Sequence, residues 1–254
     1  HSTEMNESMP NRAAPSIFQF HNTFGPEIYN TDFSLPDNKR DPLYKLQFEC
    51  PICGSKFSHY ELMPKTMRED YSYFEVSQYF ELGEYAQVDY NYLKVNVCPK
   101  CLYASSNKKH FKYYSGEKMQ YKAPRNFPSM QTEMKKRIPI RQKIFINCLG
   151  SNIQNIERVF TRPRNYPAAI TSLFLGVETL QVLSRYQSAT LLIDTLELFF
   201  TMALLARQNN FLDDEKKFLL LADEKLAEVQ QNSALAEMMP RFIYLSAKVK
   251  LQLN

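Results

Sequence analysis

Two pairs of cysteines constrain this chain more than any other feature. Cys50-Pro51-Ile52-Cys53 and Cys98-Pro99-Lys100-Cys101 give the formula C-x2-C-x44-C-x2-C. Within each pair the two sulfurs approach closely enough to bind one ion. A strand leading into the tight turn aims backbone N–H groups at them. Two such turns facing each other make a tetrahedral four-thiolate site, and that donor set suits Zn²⁺. Cys50, Cys53, Cys98 and Cys101 are therefore the expected ligands of one structural Zn²⁺. Protein sulfurs fill all four positions, so none is left for water or substrate, and the site reads as structural rather than catalytic. The 44 residues between the pairs exceed the roughly 15 to 20 of a compact ribbon, so a substantial insert must leave and return.

Other readings of the cysteines remain. A redox CxxC requires a thioredoxin-like βαβ context, which is missing. An iron–sulfur cluster is a third option. His59 is the histidine that would replace a cysteine in a mixed set. The fifth cysteine, Cys148, lies in an apolar helical stretch and reads as a small core residue.

Along the chain, the pattern implies four parts. Residues 1–40 are rich in Asn, Ser and Pro and read as an extended arm. Residues 41–110 form the cysteine module, with strand alternation at 44–48 and 92–97 running into the two CxxC pairs. Within it, 61–90 reads as a helix or an irregular insert. Residues 111–165 are a basic connector with helices, and 166–254 a set of antiparallel helices joined by short loops. Pro139, Gly150 and Pro167 mark helix boundaries, and Asn209-Asn210 breaks the pattern again. Asp213 or Asp214 can cap the helix that follows. The expected fold is thus mainly α with a small β zinc ribbon, followed by a tetratricopeptide-like helical domain.

Charge is unevenly distributed. Residues 61–90 carry seven acids against two bases, and 94–145 carry thirteen bases against two acids. Aromatic residues interleave with the bases, so 108–143 could bind nucleic acid or a nucleotide, with Lys108, Lys109, Lys112, Arg125, Lys135, Lys136, Arg137 and Arg141 as the candidate contacts. The competing reading pairs these bases with the acidic insert and with a four-thiolate zinc of net charge −2.

Several function classes lose their usual signatures. None of the six glycines forms a GxGxxG or GxxxxGK motif, and HExxH, GxSxG and DxDxDG do not occur. The four histidines end at His110, so the helical half supplies no imidazole. Asp194 and Glu197 share a face with Gln187, Thr190 and Thr201, which reads as a polar stripe on a buried helix. The same two acids interrupt the most apolar region, 191–206, so no membrane span is expected. Paired cysteines without a visible export signal suit a reducing, cytoplasmic setting.

Four segments together carry a resemblance. They are 48–57 (FECPICGSKF), 89–104 (DYNYLKVNVCPKCLYA), 206–218 (ARQNNFLDDEKKF) and 241–251 (RFIYLSAKVKL). In this order they resemble a bacterial family catalogued as domain of unknown function 2225, over about residues 43–254. The resemblance implies a zinc-ribbon front joined to tetratricopeptide-like helices, with the four metal positions matched one by one. It implies no activity. One departure stands out: the family usually has Gly after the fourth cysteine, where this chain has Leu102. The expectation is then a non-enzymatic, zinc-containing adaptor that binds a protein partner through its helices, with the nucleic-acid reading as the alternative.

Overall fold

A computed structural model describes residues 35–36, 38–115, 118–121, 127–151, 155–184 and 190–253. The chain enters through strand β1 (Leu43–Glu49) and turns back at once as β2 (Lys56–Leu62). The pair is antiparallel and in continuous register from Leu43↔Leu62 to Glu49↔Lys56. The first CxxC is the turn that joins them.

The insert that follows is a second antiparallel hairpin, β3 (Met67–Tyr73) and β4 (Val76–Glu81). This corrects the expectation of a helix or irregular insert over 61–90. The signal was hidden in two ways. The middle of β3 is solvent-exposed on both faces, so it carries no hydrophobic alternation. The turn residues Phe74 and Glu75 both have positive φ (47° and 61°) without being Gly or Asn, so no turn signature marks them. Tertiary packing holds the turn instead. The Phe74 ring stacks on Phe200 with centroids 4.8 Å apart, and Glu75 pairs with Arg241 at 2.5 Å.

A short 3-10 turn (Tyr90–Tyr92) leads to β5 (Asn96–Val97) and β6 (Ala104–Ser105), which flank the second CxxC. Strands β7 (Lys112–Ser115) and β8 (Lys118–Gln120) then return to the first sheet, whose order is β2-β1-β7-β8. The start of the stretch read as a basic connector is therefore sheet. Among the described residues at the end of the N-terminal arm, Arg40 bridges to Tyr85 and Lys39 pairs with Glu81.

Seven helices complete the described fold: α1 (Phe127–Lys136), α2 (Ile138–Leu149), α3 (Ile156–Phe160), α4 (Tyr166–Leu183), α5 (Thr190–Gln208), α6 (Leu212–Gln230) and α7 (Met239–Leu253). Pro139 lies in the first turn of α2, where its missing N–H costs nothing, and Gly150 closes that helix at positive φ. Asn165 caps α4 by accepting the Ala168 N–H. Between α5 and α6, Asn210 takes a left-handed conformation and the Phe211 N–H returns to the Ala206 carbonyl. Asp213 and Asp214 do not cap α6. They sit inside its first turn with Glu215, where the helix dipole favours acids.

Helix α4 is the centre. Among its eighteen residues only Gln181 escapes full burial, because α2 and α5, together with β6, pack around it. It is the one described helix long and apolar enough to cross a membrane, yet nearly all of it is buried inside the fold. Gly176 makes this packing close. A Cβ there would stand 3.1 Å from a Leu198 methyl and 3.4 Å from Val95. Beyond α4, α5 packs on α6 and α6 on α7. The buried side chains form one continuous cluster that runs from Phe48 under the first turn to Val249 near the C-terminus.

Candidate metal centre

The two CxxC turns repeat the same local geometry. In the first, the Cys50 N–H donates to the Ser55 carbonyl (2.9 Å) and the Gly54 N–H to the Cys50 carbonyl (2.8 Å). In the second, the Cys98 N–H donates to the Tyr103 carbonyl (2.9 Å) and the Leu102 N–H to the Cys98 carbonyl (2.9 Å). Gly54 and Leu102 occupy equivalent positions, both left-handed, with φ of 71° and 57°. The second turn therefore keeps the shape of the first with leucine in place of glycine. A left-handed non-glycine residue costs roughly 1–2 kcal/mol. Leu102 offsets this through its side chain, which is fully buried in the core, a gain of about 1.5–3 kcal/mol.

An aromatic floor sets the two turns face to face. Phe48, two residues before Cys50, contacts Phe57, Phe111 and Tyr113 at centroid distances of 5.8, 5.6 and 5.6 Å. Tyr103, two residues after Cys101, meets Phe111 at 5.2 Å. The four sulfurs converge above this floor. Cys50 Sγ lies 3.6 Å from Cys101 Sγ, and Cys53 Sγ lies 3.5 Å from Cys98 Sγ. All four fall within 4.8 Å of one another. Tetrahedral Zn–S bonds of about 2.3 Å place sulfurs about 3.8 Å apart, so the observed spacing fits one such ion. The four cysteines are free thiols. Their electrostatics are cooperative: Cys98 is held low by hydrogen bonds from the Cys101 and Cys50 thiols and from backbone N–H groups. Cys50 is pushed up by its bonds to Cys101 and Cys98 and by burial.

His59 does not join the set. Its Nε2 lies 2.8 Å from the Leu93 carbonyl and its Nδ1 3.3 Å from Arg164 Nη2. That fixes the neutral tautomer with the proton on Nε2, and burial with the facing Arg164 charge holds its pKa well below the usual range. Cys148 lies in the core as expected, its thiol pushed up to about 12 by burial.

The bases read from the sequence divide into two groups. Lys108 pairs with Glu61 at 3.2 Å and Lys112 with Glu49 at 2.8 Å. Arg137 pairs with Glu178, and Arg141 is buried completely. Arg141 donates to the Cys101 carbonyl (3.1 Å), the Met134 carbonyl (2.6 Å) and Glu178 (3.4 Å). It faces the interior and presents nothing to a phosphate. Lys109, Lys135 and Lys136 are solvent-exposed. Arg125 lies outside the described residues. The Asp194–Glu197 face is met by Lys94, whose Nζ reaches Glu197 at 2.5 Å and the Thr201 hydroxyl at 3.4 Å.

A profile of the family described as "Uncharacterized protein conserved in bacteria (DUF2225)" matches residues 43–253. The chain belongs to this family. Comparison with curated proteins returns no match, and neither does comparison with solved structures. Within this DUF2225 chain, two supports of the site were not read from the sequence. Glu178 is an acid in the middle of an apolar helical run, and that mismatch was the available signal for a buried ion pair. Arg164 is also buried. It donates to the Phe160 and Val95 carbonyls (2.8 Å each) and so anchors the approach to the second turn. Its sequence neighbours Pro163 and Asn165 gave no such sign.

Proposed function

We propose that this DUF2225 protein holds one structural Zn²⁺ on Cys50, Cys53, Cys98 and Cys101 and serves as a non-enzymatic, cytoplasmic adaptor for a protein partner. The observation that carries the metal reading is the convergence of four sulfurs within 4.8 Å. When bound there, Zn²⁺ supplies a rigid tetrahedral junction between two hairpins. The four thiolates complete its coordination, so the ion's role is to hold structure. On this reading the two turns form a zinc ribbon with an inserted hairpin, and α4–α7 form a tetratricopeptide-like array.

Helix α7 supports the adaptor role. Phe242, Leu245 and Val249 pack inward, while Ile243, Tyr244 and Leu251 stand exposed on the other side. A helix with apolar residues on its outer side is a surface on which a partner can bury area. The alternative, nucleic-acid binding through 108–143, draws on Lys109, Lys135 and Lys136. It is weakened because Lys108, Lys112, Arg137 and Arg141 already have acidic partners.

Native mass spectrometry of the chain purified from its own host, with metal analysis of the same sample, tests both parts. One zinc with a co-purifying protein is the expected result. One zinc with bound nucleic acid, released steeply by salt, replaces the adaptor by the alternative. A metal-free, folded chain removes the zinc.

A further inference from the structure

The four cysteines are not equally buried. Cys50, Cys98 and Cys101 are 1%, 0% and 2% exposed, whereas Cys53 is partly open. Cys53 lines a cleft of about 580 Å³ together with Cys50, Glu49, Lys112, Gln131, Lys135 and Ile138. The Gln131 side chain holds one wall in place by donating to the Pro51 carbonyl at 2.8 Å. The sulfur facing Cys53 across the site is Cys98, at 3.5 Å, on the other turn. Cys53 is therefore the least buried of the four, and Cys98 stands next to it.

We propose that Cys53 is an oxidation site for a small hydroperoxide, with Cys98 as the resolving thiol. This rests on the metal reading above. The Cys53 thiolate attacks the distal peroxide oxygen. An S–O bond forms, the O–O bond breaks, and hydroxide leaves and is protonated to water. Lys112, already paired with Glu49, and the exposed Lys135 line the same cleft. The Cys98 thiolate then attacks the Cys53 sulfur, forming an S–S bond and expelling a second hydroxide. Two thiolates are oxidised by two electrons, and one hydrogen peroxide is reduced to two waters. A Zn²⁺ held by the four cysteines would keep only Cys50 and Cys101 as donors and would be released. Cys50 and Cys101, 3.6 Å apart, are left as a second pair for a further equivalent of oxidant.

The test uses the zinc-loaded full chain carrying Cys148→Ser, so that the four site cysteines are its only thiols. Zinc content is measured first. One equivalent of hydrogen peroxide is then added, zinc release is followed with a chromogenic chelator, and disulfides are mapped in a non-reduced digest. In parallel, substoichiometric N-ethylmaleimide reports access. Access control predicts labelling of Cys53 about tenfold ahead of the other three. Release of one zinc with a Cys53–Cys98 bridge is the expected outcome. Lys135→Trp, which shades the cleft, should slow the labelling without changing zinc content. Bound zinc with even labelling, a bridge within either CxxC, or no oxidation overturns the proposal and leaves the metal reading intact. A preparation without zinc overturns both.

Discussion

Arg141 of α2 donates its Nε–H to the backbone carbonyl of Cys101, 3.1 Å away, from a position with no solvent exposure. The same guanidinium reaches Glu178 on α4 at 3.4 Å. One side chain thus ties the second cysteine turn to the central helix, and the metal site and helical half share a buried charge network. Replacing Arg141 by Met leaves the Cys101 carbonyl without its donor and Glu178 with Arg137 alone. Removing one partner of a buried pair costs about 3–5 kcal/mol. Urea unfolding of Arg141→Met should show a loss of this size together with weaker metal retention. A change below about 1 kcal/mol, the range of a surface pair, would remove the network from the account.

The cysteines themselves set a second expectation. Cys98→Ser removes one of four donors and should abolish stoichiometric zinc and lower the melting temperature. Chelation of the unmodified protein should lower it by a comparable amount and be reversed by added zinc. A Cys98→Ser variant that keeps both one zinc and its melting temperature ends the structural role.

Leu102 gives a prediction opposite to the simplest one. Its φ of 57° suggests that glycine would stabilise the turn. Its side chain, however, is fully buried. Leu102→Gly recovers roughly 1–2 kcal/mol of backbone strain and forfeits about 2–5 kcal/mol of packing. The net expectation is destabilisation of about 1–3 kcal/mol, read by chemical denaturation. Stabilisation by glycine would mean that the cavity collapses.

His59 makes stability depend on pH. In the folded state burial and the facing Arg164 keep it neutral, with its pKa well below the usual range. In the unfolded chain it titrates near 6.5. Above that value both states are neutral and the contribution is flat. As pH falls below it, the unfolded state takes up a proton that the folded state refuses. Stability then declines by up to about 1.4 kcal/mol per pH unit until the folded pKa is reached. His59→Gln should be flatter between pH 6.5 and 5 than the parent. Parallel slopes would show that His59 does not carry the effect.

Sequence and structure agree where local rules decide, and part where packing decides. The cysteine cluster and most helix boundaries were legible because the spacing of Cys50, Cys53, Cys98 and Cys101 and the positions of Pro139, Gly150 and Pro167 act through the chain itself. The β3–β4 hairpin was not, since its turn is held by Phe200 and Arg241, more than a hundred residues away. The partners of the basic stretch were not legible for the same reason. Arg137 and Arg141 look like a cationic face in sequence, and only the folded position of Glu178 turns them inward.

The 44-residue interval between the pairs also has a mechanical meaning. With the ion in place, a pull on the two ends of the chain passes from Cys50 through the metal to Cys101. The backbone between them, including the β3–β4 hairpin, carries no load. Stretching the protein in a force instrument should therefore give a shorter extension for the zinc-loaded chain than for the stripped one. The missing length is the segment that the thiolates short-circuit.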